Sequence, residues 1–151
     1  MSRLAMTALS IALLIPPAYA TEGMIAFPCV NSAKSSMDKL ETLAKSRGLK
    51  IFARIDHAAG AHSIGQELRP TELLIFGHPK GGTPLLQCSQ AFGIDLPMHV
   101  LAWEDASGKT WLGYKDPAAV RFDFPDPACD VALKRLTVTL DDLVREAASE
   151  K

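Results

Sequence analysis

The sequence predicts an α+β fold with a mainly antiparallel sheet, and three observations carry that prediction. Strand-like and helix-like segments mix without a strict strand-helix-strand rhythm, which argues against a parallel, doubly wound sheet. "MHVLAWE" and "KTWLGY", separated by "DASG", make a clear hairpin in the middle of the chain. "TELLIFG" is almost continuously apolar, as a strand in the centre of a sheet would be.

The elements follow in order. "GMIAFPC" reads as a first short strand. In "SAKSSMDKLETLAKSRG" Ser32 or Ser35 is placed to cap a helix, Met37, Leu40, Leu43 and Ala44 fall at helical spacing, and Gly48 stops it. "LKIFARI" alternates and is β-branched or aromatic enough for a strand, and Asp56 is placed to cap a short, glycine-weakened helix in "DHAAGAHSIGQEL". After "TELLIFG", a short helix is expected in "TPLLQCSQAFG", with Pro84 in its tolerant first turn. In the hairpin, Met98, Val100 and Ala102 share one face while His99, Leu101 and Trp103 share the other. Trp111 and Tyr114 fall on opposite faces. The chain turns at "DPAAVRFDFPDPA" and ends in an amphipathic helix from Leu133 to Ala148, with a β-branched break at Thr137 to Thr139.

The first twenty of the 151 residues read as a secretory signal peptide. Arg3 is the positive start, Leu4 to Ile15 the apolar run, and Ala18-Tyr19-Ala20 the small-x-small cleavage site. The run is too short for a membrane span, which needs roughly 20 apolar residues. A periplasmic or secreted single domain from Thr21 onward is the expectation. The formal net charge of −1 and the lack of any basic run give no footprint for nucleic acid and no handle for anionic lipid. Three cysteines enter an oxidising compartment, where bridges form. A Cys29–Cys129 bridge stapling the two ends is favoured, three free thiols being the alternative. No CxxC and no Cys/His pair at zinc spacing is present.

Three blocks carry a resemblance: the helix between Ser35 and Gly48, "IFARIDHAAGAHSIGQELRPTELLIFGHPKGGTPLL", and "DLPMHVLAWEDASGKTWLGYKDP". Together they resemble the bacterial domain-of-unknown-function family 302, over roughly Ser35 to Pro117. The resemblance implies a curved antiparallel sheet backed by helices, similar to the TATA-box-binding-protein-like class, and it implies no activity. Here His78 stands where the family usually has Asn, Gly81 where Ala is common, and Cys88 where a small apolar residue is common.

The chemistry-bearing residues are few. "GHPKGGT" is not a Walker loop, because Lys80 precedes Gly81-Gly82 instead of following them and Pro79 removes an N–H. It is either an anion-friendly turn in which Gly81, Gly82 and Thr83 donate hydrogen bonds, or a plain turn with Thr83 as a helix cap. His57 and His78 follow the ends of two strands expected to be neighbours, so with Asp56 they suggest a metal or general-base site, or polar groups that fix a turn. Glu104 lacks a second carboxylate for hydrolase chemistry, and no serine sits in a GxSxG elbow.

The leading expectation is non-catalytic binding of a small anionic ligand or a protein partner. The ligand would lie where Gly77 to Thr83 approach His57 and the aromatic hairpin. Its contacts would be His57, His78, Lys80, Gly81, Gly82, Thr83, Trp103, Glu104 and Tyr114. No cofactor is implied. The alternatives are a metal-handling protein or enzyme using His57 and His78, and a structural module that oligomerises through its sheet edge.

Overall fold

The computed structural model describes residues 23–119 and 126–150. Strands β1 (Met24–Pro28), β2 (Lys50–Asp56), β3 (Thr71–Gly77), β4 (Met98–Glu104) and β5 (Thr110–Lys115) form one sheet in the order β1-β5-β4-β3-β2. Every neighbouring pair is antiparallel. The helices are α1 (Ala33–Ser46), α2 (His57–Ser63), α3 (Pro79–Cys88) and α4 (Pro127–Ala148), with short 3-10 turns at Gln90–Ile94 and Pro117–Ala119. The α+β expectation holds. The expected signal peptide and the stretch 120–125 of the expected turn lie outside the described residues.

Alternation along the strands sorts the side chains into two faces. Leu74 and Phe76 of β3, Val100 and Ala102 of β4, and Leu112 and Tyr114 of β5 are buried on one face. That face is covered by α1, through Met37, Leu40 and Ala44, and by α4, through Leu140, Leu143, Val144 and Ala147. Each leucine fully buried there contributes about 1.5–3 kcal/mol. The opposite face carries no helix among the described residues and shows Ile55, Leu73, Leu101 and Trp103 half-buried or exposed.

Local signals account for most boundaries. Ser32 is the cap of α1, its Oγ accepting the Ser35 N–H at 3.3 Å, and Gly48 ends that helix at φ +74. Asp56 caps α2 by accepting the Ala59 N–H at 2.8 Å. In the β4–β5 turn the Asp105 carboxylate accepts from the Ser107 and Lys109 N–H groups at 2.8 and 3.1 Å. β3 is interior, but the central strand is β4.

Two elements differ from expectation. The last helix is continuous over 22 residues from Pro127, capped by Asp126, with no break at Thr137 to Thr139. Thr137 and Thr139 donate their hydroxyls back to the Leu133 and Arg135 carbonyls at 3.0 and 2.8 Å, which accommodates them inside the helix. α3 begins at Pro79 and not near Thr83, so Gly81 and Gly82 lie inside it and Pro84 sits in its interior.

The earlier start of α4 also changes the disulfide. Cys129 belongs to the first turn of that helix and pairs with Cys88 at the end of α3, with Cα atoms 6.0 Å apart, so the expected Cys29–Cys129 bridge does not form. Cys29 is a free, half-buried thiol just after β1, where its N–H bonds the Thr110 carbonyl at 2.8 Å. Burial pushes that thiol up from its ordinary pKa, which lowers its reactivity.

Candidate functional site

The glycine segment is a helix start. His78 is the cap, and its Nδ1 accepts the Lys80 N–H at 3.0 Å. The Gly81 and Gly82 N–H groups both bond the His78 carbonyl, at 2.9 and 3.2 Å. With Pro79 lacking an N–H, these first amides are spent inside the protein, so the glycines do not cradle an anion and Thr83 is not the cap. Gly82 serves close approach instead: a Cβ there would come within 3.3 Å of Leu96 Cδ1, whereas a Cβ on Gly81 would meet open space.

That close packing leaves a groove of about 410 Å³ beside the helix start. Its walls are His78, Gly82 and Leu86 of the α3 segment, Phe52 of β2, Leu96-Pro97 before β4, and Leu136 with Thr139 of α4. The Leu96–Pro97 peptide is cis. Phe52 is half-exposed because a bulge between Ile51 and Ala53 interrupts the β2–β3 register. The lining is mostly apolar; its polar side chains are His78 and Thr83 of the α3 segment and Thr139 of α4, and the exposed Lys80 lies next in sequence to the lining residues Pro79 and Gly81.

The residues expected to form one site are divided among three places. His57 opens α2 at the end of the sheet where Asp56 pairs with Glu72, whereas His78 follows the end where Lys50 pairs with Gly77. Six residues of strand separate these ends, about 20 Å, because β2 and β3 run antiparallel. The two histidines therefore cannot share a metal ion. Among the described residues no group of three or more His, Cys, Asp or Glu side chains could hold one.

Trp103 and Glu104 also lie at the His57 end, since Thr71 pairs with Trp103. Trp103 lies across Gly113 on the uncovered face and stacks on Trp111, with ring centroids 6.4 Å apart. A second concavity of about 410 Å³ borders these rings, with Arg69 and Glu104 at its rim. Tyr114 is in the core, its hydroxyl donating to Asp141 Oδ1 at 2.9 Å. Burial and the Asp141 carboxylate hold that phenol well above its ordinary pKa, so it stays protonated.

The recognisable blocks are largely structural. Arg54 of "ARIDHA" reaches three carboxylates: Asp38 Oδ1 at 2.6 Å, Glu41 Oε2 at 3.2 Å and Glu72 Oε2 at 2.6 Å. Glu72 comes from "PTELLIF" and is buried, so the two motifs meet as an ion-pair hub tying β2 and β3 to α1. Asp56 of the same block is the α2 cap. Asp105 of "EDASGK" ties the hairpin turn to Trp111 Nε1 at 2.7 Å.

Sequence reasoning missed Phe52, Leu86, Leu96, Leu136 and Thr139 as groove residues. The half-exposed Phe52 depends on a bulge, and the rest read as ordinary apolar or helical positions, so no local signal marked them.

A family model described as "Domain of unknown function DUF302" matches residues 25–145. The chain belongs to the DUF302 family. The crystal structure of an uncharacterized conserved DUF302 protein from Bacillus stearothermophilus superposes with a TM-score of 0.73 at 16% identity, covering 84% of this chain and 98% of that one. At that identity the likeness establishes the DUF302 fold alone. Two curated proteins share 40% identity over 130 residues, 85% of this chain: "Fluoride-specific ion channel FluC 1" of Brucella suis biovar 1 (strain 1330), 51% of whose length is covered, and "Fluoride-specific ion channel FluC 1" of Brucella abortus biovar 1 (strain 9-941), 48% of whose length is covered. The DUF302 chain thus spans about half the length of these relatives.

Proposed function

We propose that this DUF302 domain binds, without catalysis, a small amphipathic molecule with an apolar body and an anionic head. The carrying observation is the groove itself: about 410 Å³ of mostly apolar wall that includes the polar side chains of His78 and Thr83. Desolvating an aliphatic chain or ring against Phe52, Leu86 and Pro97 supplies the affinity. The His78 ring, the Lys80 ammonium and the Thr83 hydroxyl receive the head group. A bare inorganic anion fits less well, because the amides of Gly81 and Gly82 are already bonded. The Cys88–Cys129 disulfide suits an oxidising, extracytoplasmic compartment for this work.

The name "fluoride-specific ion channel" belongs to proteins of which this chain covers only about half. Among the described residues here no helix is long and apolar enough to cross a membrane. Conduction is therefore not a property we propose for this chain.

Thermal shift with decanoate, decanol and inorganic phosphate tests the reading, since a ligand of the folded state raises the melting temperature by mass action. Decanoate should stabilise most and phosphate least. Thr139→Trp, which fills the groove from α4, should abolish the decanoate shift. No shift with decanoate at millimolar concentration, or one that survives Thr139→Trp, defeats the proposal.

A further inference from the structure

We propose that the Cys88–Cys129 disulfide is a redox-sensitive clamp that keeps the groove formed by holding α3 against α4. This rests on the groove reading only for its consequence to a ligand; the clamp itself is argued from the construction of α3. α3 is an intrinsically poor helix, with Gly81, Gly82 and Pro84 among its ten residues. An interior glycine or proline disfavours a helix relative to alanine. Its tertiary anchoring is also thin. Leu85 is its only fully buried side chain, and the helix as a whole makes its main contacts with α4 and the Gln90–Ile94 turn.

The covalent tie is placed where such a helix needs it. Cys88 is the last residue of α3, and Cys129 lies in the first turn of α4, the helix whose Leu136 and Thr139 form the opposite wall of the groove. One wall carries the core leucines of α4 and does not depend on the bridge. The other depends on His78 capping at one end and the disulfide at the other. Segments with few buried contacts open locally while the core stays closed.

The bridge is also reachable. Cys129 is buried, but Cys88 is half-buried and borders a concavity of about 290 Å³ with Pro84, Gln87 and Asp126. A dithiol reductant, such as a reduced CXXC protein or dithiothreitol, attacks Cys88 Sγ as its thiolate and displaces Cys129 as thiolate. Its second thiol then closes the reductant's own disulfide and releases Cys88. Two electrons pass to the protein and two protons end on Cys88 and Cys129. Cys29, on a different element and free, takes no part.

Hydrogen exchange of the native chain, oxidised and then reduced with dithiothreitol, reads the clamp directly. On reduction the amides of Thr83 and of Leu85 to Cys88 should exchange at least about tenfold faster, those of β3 and β4 should change by less than about twofold, and reoxidation should restore the original rates. Unchanged α3 exchange after reduction, or equal loss of protection in α3 and the sheet, overturns the clamp. Cys88→Ser in a Cys29→Ser background should reproduce the reduced pattern without any reductant, and a pattern matching the oxidised protein counts against it. Decanoate affinity, measured in parallel, separates the two proposals: a clamp opening in a protein that never binds decanoate sinks the groove reading alone. Where the oxidised protein does bind, reduction should weaken binding at least about tenfold, and equal affinity in both states rejects control of the groove by the clamp.

Discussion

His78 Nδ1 accepts the Lys80 N–H at 3.0 Å, a capping role that an asparagine side chain fills equally well. Both side chains offer an acceptor to a first-turn amide. The position is a helix cap, filled here through Nδ1. His78→Asn should therefore change unfolding free energy by less than about 0.5 kcal/mol, whereas His78→Ala should lower it by about 1 kcal/mol. Urea titration of both variants checks this, and equal losses would remove the capping role.

The Arg54 hub predicts a larger effect. Removing the guanidinium leaves Glu72 buried without its counter-charge and unties β2 from α1. Arg54→Met should cost about 2–4 kcal/mol, below the full figure for a completely buried pair because Asp38 and Glu41 are partly solvated. Asp38→Asn, at the exposed rim, should cost under about 1 kcal/mol. Comparable costs for the two would mean that Glu72 is not the critical partner.

Trp103 over Gly113 makes a steric prediction. A Cβ there would approach Trp103 Cζ3 to 2.9 Å and the Ile25 carbonyl to 3.1 Å. Gly113→Ala should destabilise by about 1–3 kcal/mol and displace the indole, visible as a changed tryptophan emission spectrum.

The pH profile follows from four carboxylates. Hydrogen bonds from Lys34 and Arg54 hold Asp38 below its ordinary pKa, and one from Lys45 does so for Glu41. Ser107 and Trp111 lower Asp105. At Asp141 burial pushes upward, but Arg145 and Tyr114 outweigh it. Depressed folded-state values mean stability that is complete above the ordinary carboxylate range, near pH 4, and is lost as pH falls through the lower folded-state values. Tyr114 has the opposite sign: its raised value contributes fully below about pH 10 and is lost as pH rises beyond that. Urea midpoints from pH 3 to 11 should fall at both ends, and Tyr114→Phe should flatten the alkaline limb while also reducing the part of the acid limb that comes from Asp141, whose carboxylate loses the Tyr114 hydrogen bond.

Much of the fold was legible because its signals are local. The hairpin at "DASG", the Asp56 cap, the Gly48 stop and the split of Met98 from His99 faces depend on residues a few positions apart, and the structure bears each out. The start of α3 was misjudged for a local reason too: Pro79 with a histidine cap outweighed the two glycines that looked like a loop. The candidate site was less legible. Its expected members fell into the groove, the tryptophan end and the core, because strand direction decides which termini meet.

By itself, then, the sequence determined the α+β class, the order of elements and the two-sided character of the strands, all consequences of periodicity and capping within a few residues. Only the tertiary structure decided that His57 and His78 stand at opposite ends of the sheet, that Cys88 and not Cys29 pairs with Cys129, and that a groove opens beside Gly82. Each of those depends on contacts between segments far apart in the chain, where packing and strand direction choose among pairings that local propensity leaves equal.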